Sequence, residues 1–481
     1  MNAESDDVDN DYDIDVNNVN HDKLKQKYFF DIIHGFITFD NLLTRIIDSK
    51  HFQRLRYLKQ LGPVVYVYQN ATHTRFEHSL GAAHYAEKAM DTILKNKENK
   101  KKIMDYMASI KELQSYYNRK YGGRKTPIDK YIIMLVKIAG LCHDLGHGPY
   151  SHIFDDIFIK KYPQCGKMAR HEYRSCIILE HIIKNDPLLS KIIYDPEIEF
   201  IKNIIDPKEE NTGFIYQIVS NDLNSLDVDK YDYILRDSYA TGRKVAFNPQ
   251  RLMEHIKIHD NNICYPEKLA FDIESLFEAR YNLFKTVYVH KTVIGVGMLL
   301  IDIMELLNEF FDFFDYIMDI DKFADMTDEY VLYIAQNLKV SDEVLSDPTM
   351  RIKYDKLMRY LDNLKNHILY TKVRSMTTNE EIVFTDDVLK LLESYDITIY
   401  KNKIGYVSGN KKNPFDNIYF YKIHNGTEKF YKMDINNYTK LTPSNYQEHI
   451  THLFSRNKLD DRSLKIINDA IDGKNKIKKK K

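Results

Sequence analysis

One stretch, Leu141-Cys-His-Asp-Leu-Gly-His-Gly-Pro-Tyr-Ser-His152, constrains the fold of this chain more than any other. It follows the apolar run Tyr131 to Cys142, which reads as a buried helix. Thr126-Pro127-Ile128-Asp129 is a helix start, with a capping threonine, a proline in the first turn and an acidic residue three along. Gly146 and Gly148 end the helix, so His143 and Asp144 fall on its last turn. A lone histidine on an apolar helix is usually a satisfied core residue, but here that reading must hold several times over. Adjacent residues cannot both face one metal from ideal helical positions, whereas a helix end relaxes enough for imidazole and carboxylate to converge. The remaining ligands must come from distant sequence. Arg75-Phe-Glu-His78 supplies a histidine and Asp227-Val-Asp229-Lys-Tyr-Asp-Tyr233 supplies carboxylates. Two neutral histidines and two aspartates neutralise a divalent ion while leaving positions open for water and a substrate oxygen, which describes a hydrolytic centre.

The rest of the chain frames that centre. Lysine plus arginine (69) nearly cancels aspartate plus glutamate (70), so a polyanionic ligand needs a local basic patch. No CxxC pair occurs among Cys142, Cys165, Cys176 and Cys264, and no apolar signal segment opens the chain, which leads to the expectation of a reduced, intracellular, soluble protein. The longest apolar run, Val293 to Ile301, is too short to span a bilayer and reads as a buried helix, so no membrane partner is expected. Residues 1–24 form an acidic tail expected to be disordered, with eight acidic residues and no Lys or Arg between Met1 and Asp22. Lys474 to Lys481 holds six lysines; a nucleic-acid contact is a weaker reading there than a solubilising end. Segments 417–423 and 428–433 are strand-like around His424-Asn-Gly-Thr427, a hairpin signal. The expected fold is mainly α: a helical catalytic core over 25–309, a smaller α+β regulatory or oligomerisation lobe over 310–470, and a lysine-rich tail over 471–481.

Five ordered blocks carry a resemblance: Asp31-Ile-Ile-His-Gly35, Phe52-Gln-Arg-Leu-Arg-Tyr-Leu-Lys-Gln-Leu-Gly62, His73-Thr-Arg-Phe-Glu-His-Ser-Leu-Gly81, Ala139 to His152, and Asp227 to Asp237. Together they resemble the HD-domain deoxynucleoside triphosphate triphosphohydrolases, most closely the vertebrate members that also carry a sterile-alpha-motif domain. The resemblance runs with gaps from about Lys27 to Leu464, and no sterile-alpha-motif domain fits before Lys27.

By position in those blocks, the resemblance implies His78, His143, Asp144 and Asp229 as ligands of iron, manganese or a similar ion. It implies His147, His152, Asp155 and His171 as the catalytic group, with a protonated His152 serving the departing 5′ oxygen and Asp155 orienting that imidazole. Arg75, Lys230, Arg280 and His147 match positions that grip phosphates, together with magnesium. Gln60, Leu61, Tyr233, Asp237, Tyr288 and His290 match the sugar and pocket positions. Lys27, Asp48, Gln53, Arg56, Val67, Arg251 and Lys268 match an activating guanine-nucleotide site (GTP or dGTP) between subunits of a dimer or tetramer. A carboxylate suits guanine's N1 and N2 hydrogens and an arginine its O6 and N7. The implied reaction converts deoxynucleoside triphosphate to deoxynucleoside and triphosphate. Another nucleotide or phosphodiester substrate, or binding without turnover, are the alternatives. Ile32, Phe284, Val289 and Pro266 depart from the family pattern around the pocket and regulatory site.

Overall fold

The computed structural model describes residues 25–95, 99–406, 411, 413–434, 438–439, 443 and 445–474. The acidic tail and the lysine run beyond Lys474 lie outside the described residues. The chain enters through an antiparallel ribbon, β1 (Gln26–Asp31) and β2 (Gly35–Asp40), turned at Gly35 with φ of +72°. The Asp40 carboxylate accepts from the Leu42 and Leu43 amides to start α1 (Asn41–Ile47), and the Ser49 hydroxyl caps the single turn α2 (Lys50–Gln53).

Four helices hold the centre: α3 (Arg75–Lys95), α4 (Lys130–Cys142), α5 (His171–Asn185) and α6 (Val228–Ala240). α3 and α4 meet along a seam of small residues. A Cβ on Gly140 would stand 3.2 Å from the Ala82 carbonyl oxygen and from Ala86 Cβ. On the other side of α3, a Cβ on Gly81 would stand 1.9 Å from Asp232 Oδ1, so only glycine lets α6 approach this closely. α4 begins three residues later than the sequence suggests. The Thr126 hydroxyl donates to the Met104 carbonyl instead, and the Asp129 carboxylate takes the capping role at the Tyr131 and Ile132 amides.

Two strands, β3 (Lys257–His259) and β4 (Asn262–Pro266), precede α7 (Ala270–Leu283) and α8 (Lys291–Leu307). Val293 to Ile301 lies buried in α8, as its apolar character suggests. Among the described residues no single helix is long and apolar enough to cross a membrane. A short helix, α9 (Ile320–Phe323), returns to the neighbourhood of α2.

The C-terminal portion contains β5 (Thr371–Thr378), α10 (Asp386–Ser394), β6 (Ile397–Gly405), β7 (Tyr419–His424), β8 (Thr427–Lys432), β9 (Gln447–Ser455) and α11 (Asp461–Lys474). The expected hairpin is β7–β8, with positive φ at both Asn425 (+50°) and Gly426 (+76°), as a type I′ turn requires. The fold is mainly helical with this smaller sheet-containing region, as expected. The two parts share walls, however. β7 pairs in parallel with β4, and Leu357, Tyr370, Phe415 and Phe454 join the same apolar core as α3 and α4. Ile382, Phe384, Val388, Leu392, Ile397, Leu453, Ile467 and Ile471 form a separate small core against the β5–β9–β6 sheet, and Val289, Ile404 and Ile450 form a smaller one.

Candidate metal centre and nucleotide cleft

The start of α3, the end of α4 and the start of α6 bring His78, His143, Asp144 and Asp229 together. His78 Nε2 lies 3.2 Å from His143 Nε2, 3.1 Å from Asp229 Oδ1 and 3.6 Å from Asp144 Oδ2. His143 Nε2 lies 3.4 Å from Asp144 Oδ1 and 3.5 Å from Asp229 Oδ1. Ligands roughly 2.0–2.2 Å from one divalent ion stand about 3 to 3.5 Å apart, so the donors of His78, His143 and Asp144 come together closely enough for such an ion, with Asp229 Oδ1 beside both histidines. His143 is the C-cap residue of α4, and its Nδ1 sits 2.8 Å from the Gly140 carbonyl, which takes the ring proton and leaves Nε2 bare.

His78 is positioned from behind. Its Nδ1 lies 2.8 Å from Asp232 Oδ2, and Arg236 donates to both oxygens of Asp232 at 2.8 and 2.9 Å. Arg236 also donates to Asp31, while His34 Nε2 sits 2.6 Å from Asp232 Oδ1. Burial by itself would lower the His78 pKa, yet the bonds to Asp229 and Asp232 carry it up to about 10. Burial likewise pushes Asp144 and Asp229 upward, but Arg75 on the first and the two histidines on the second hold both well below the usual carboxylate range. Both carboxylates are therefore ionised at neutral pH and able to face a cation.

The second cluster adjoins the first. His147 Nδ1 lies 2.6 Å from Asp155 Oδ2, its ring stacks on His171 at 3.9 Å, and its Nε2 is 3.4 Å from Asp144 Oδ1. Asp155 is also paired with buried Arg174. His152 departs from expectation. Its Nδ1 contacts Asp156 at 3.0 Å, not Asp155, and its side chain is 68% accessible on the cleft wall. The expected Asp155–His152 pair is thus replaced by Asp155–His147 and Asp156–His152. The reason is local: a π-helical turn over Phe154–Phe158 sets Asp156, four residues on, beside His152 and aims Asp155 inward. Crowding protein lowers the His152 pKa, the Asp156 bond raises it, and the net direction is upward. Burial, then the neighbouring His147, hold His171 well below the usual histidine range.

Known proteins supply the remaining context. Residues 123–231 match the HD domain family model, a span that contains His143, Asp144, Asp229 and the adjoining cluster. A putative HD domain-containing protein of Acanthamoeba polyphaga mimivirus is 36% identical over 402 residues, 81% of this chain and 83% of its own length. The deoxynucleoside triphosphate triphosphohydrolase SAMHD1 homolog of Dictyostelium discoideum is 32% identical over 93% of this chain and 80% of its own length. This chain belongs to the HD-domain deoxynucleoside triphosphate triphosphohydrolase family. The Homo sapiens member, SAMHD1, is 28% identical over 91% of this chain and 71% of its own length.

Within the family member described here, the expected substrate positions divide into two groups. Arg75 is 2% exposed; it donates to Asp144 at 2.5 Å and to Ser151 at 3.0 Å, and its second terminal nitrogen is buried with no hydrogen-bond partner among the described residues. Lys230 is paired with Asp227 at 2.9 Å beside Asp229. Tyr233 lies 6.5 Å from the His78 ring. Asp237 accepts from Tyr288 at 2.6 Å and lies 2.8 Å from His73 Nε2, close to Gln60, whose amide donates to the His73 carbonyl and whose Oε1 is buried without a partner. Leu61 packs, half-buried, beside Gln60 at the edge of the core. Arg280 and His290 are engaged otherwise. Arg280 donates to the Gly405 carbonyl and lies over Phe284, while His290 Nδ1 caps α8 at the Thr292 amide.

The expected nucleotide-regulatory positions also split. Lys27 Nζ pairs with Asp48 at 3.1 Å, Gln53 binds the Ile47 carbonyl at 2.8 Å, and Arg56 donates to Gln53 at 2.8 Å over the Phe76 ring. Arg251 pairs with Asp272, Lys268 is exposed and Val67 is half-buried; among the described residues no hydrogen bond or ion pair joins these three to the Asp48 group.

The sequence reading assigned no role to Asp232, Arg236, Asp31, His34, Arg174 or Asp156. Two signals were present on α6: Asp229 and Asp232 are three apart, and Asp232 and Arg236 four apart, hence on one face. Asp31 and His34 carried only the first block of the resemblance. Arg54 is a further omission. Buried, it donates to the Leu145, His147 and Met326 carbonyls and ties down the loop that follows the His143–Asp144 pair.

Proposed function

We propose that this chain hydrolyses deoxynucleoside triphosphates to deoxynucleoside and inorganic triphosphate, under activation by a guanine nucleotide. The observation that carries the reading is the convergence of the four donor atoms beside the unpartnered Arg75 nitrogen. His78, His143, Asp144 and Asp229 would hold a divalent transition ion such as iron or manganese. When bound, that ion supplies the Lewis acidity that lets water attack phosphorus at neutral pH.

The chain's own residues do the rest. The free Arg75 nitrogen receives a phosphate oxygen and stabilises charge as it builds, with Lys230 and His147 alongside and magnesium on the triphosphate. Arg280 stays in this group only if substrate draws it from the Gly405 carbonyl. His152, open to the cleft and kept basic by Asp156, holds a proton for the departing 5′ oxygen. Asp155 acts through His147: it fixes that ring's tautomer and edge, and the neutral His171 stacks behind it. Tyr233 and Leu61 pack against the sugar, while Gln60, Asp237 and Tyr288 present polar atoms to its hydroxyl. A buried Asp237–His73–Tyr288 cluster next to an orphaned Gln60 oxygen suits a sugar with a single hydroxyl donor. His290 and its helix cap form the outer edge of the pocket.

Lys27, Asp48, Gln53 and Arg56 would take the guanine nucleotide, with Val67, Arg251 and Lys268 completing the site from a second copy. Support for a homo-oligomer comes from the β1–β2 ribbon, where Tyr28, Phe30 and Phe36 on the two strands and Ile32 in the turn between them are 59–74% exposed. Exposed apolar patches of this kind mark association surfaces. Incubating the protein with each deoxynucleotide and manganese, with and without GTP, should release triphosphate. Pyrophosphate with monophosphate, or no product, would refute the reading.

A further inference from the structure

A third group of side chains lies where α2, α5 and α9 meet. His51 of α2, His181 of α5 and Asp321 of α9 come together from three separate parts of the chain, with one candidate donor atom from each within 4.8 Å of the others. His51 Nε2 lies 3.9 Å and His181 Nε2 3.7 Å from the same oxygen, Asp321 Oδ1. The two imidazole rings stand 5.0 Å apart at 68°. His51 is 5% exposed, yet its Nε2 has no hydrogen-bond partner among the described residues.

A buried ring nitrogen left without a partner is costly, and it is aimed here at a second imidazole and a carboxylate. We infer that His51, His181 and Asp321 form a second binding site for a borderline divalent cation such as zinc, separate from the His78–His143–Asp144–Asp229 centre. Two histidines and one carboxylate are a complete three-ligand set for that ion, with water filling the open position. The donors stand somewhat wider than a bound set, and the two that must close are the more exposed ones: the side chains of His181 and Asp321 are 27% and 60% exposed. The one competitor is Lys50, whose Nζ holds Asp321 Oδ1 at 2.7 Å across a solvent-exposed pair that contributes little. Binding would staple α2, and with it the Asp48–Gln53 segment, to α5 and α9.

The test is zinc content by mass spectrometry of metals after equilibrium dialysis against micromolar zinc, run on the full chain and on His181→Ala, Asp321→Asn and His51→Gln. A His143→Ala, Asp144→Ala background removes the first centre from the count. In both backgrounds, each of the three substitutions should lower zinc by one equivalent, with unchanged far-ultraviolet circular dichroism. Zinc should also raise the melting temperature of the His143→Ala, Asp144→Ala protein, and His181→Ala should remove that rise. Equal zinc content with and without His181→Ala and Asp321→Asn, in folded protein, overturns the proposal. Because the count is taken without the first centre, its failure is distinct from any failure of the proposed hydrolase activity.

Discussion

The His78 surroundings and the Lys27–Asp48–Arg56 face are built on opposite principles. Around His78 the polar groups are held from behind: His78 by Asp232, Asp232 by Arg236 and His34, Arg236 by Asp31, His143 by the Gly140 carbonyl. Asp232 and Asp31 are 0% and 4% exposed. On the regulatory face, Lys27 and Asp48 are about half exposed and hold each other in solvent, where an ion pair contributes roughly 0–1 kcal/mol. A buried, over-determined site keeps its geometry whether or not a ligand is present. A loosely paired surface site can exchange its internal partners for a ligand, which suits regulation.

The largest effect should come from the buried side. His143→Ala or Asp144→Ala should remove turnover to the assay background and release the bound metal, with helical circular dichroism retained. Retention of activity would break the contrast at its strongest point. Asp232→Asn keeps the shape but loses the carboxylate behind His78; metal affinity or activity should fall by about 10–100-fold. Gly81→Ala drives a methyl into Asp232 and Arg236 and should cost about 1–3 kcal/mol in urea unfolding, an overpacking effect.

Acid should also distinguish the two regions. Burial, then the nearby Lys88, lower the His84 pKa from 6.5 to about 3, and its ring lies 5.2 Å from His34 in the network behind His78. Below pH 6.5 the unfolded chain binds a proton that folded His84 refuses. The stabilisation is therefore complete above pH 6.5 and lost progressively as pH falls toward 3. His84→Gln should reduce the loss of stability between pH 7 and pH 4.5 by on the order of 1 kcal/mol, read from urea midpoints; an unchanged slope would assign acid sensitivity elsewhere. The smallest effect belongs to the exposed face. Asp48→Ala should change folding stability by no more than about 0.5 kcal/mol while removing the response to GTP. Persisting activation by GTP would move the regulatory site away from Asp48.

Local signals read the elements well and their partners poorly. The Tyr131–Cys142 helix and the 424–427 hairpin follow from apolar spacing and from Asn-Gly chemistry, because both are decided within a few residues. The start of α4 was misplaced, since Thr126 and Asp129 are both capping residues and only the Met104 carbonyl chooses between them. A boundary near residue 310 looked natural in composition, whereas β4–β7 pairing and the shared core tie the two sides together.

For the candidate site, the sequence alone determined which residue types were available: an unusual density of imidazole and carboxylate at a buried helix end, which burial obliges to find charged or metal partners. Tertiary structure decided the pairings. Asp155 backs His147 instead of His152, Asp232 backs His78, and His51 meets His181 and Asp321. Each of those partnerships depends on packing between elements or on an irregular turn, through Gly81, Gly140 and the π-turn at Phe154. Helical periodicity specifies the face on which a side chain stands, but not what the facing element will bring to meet it.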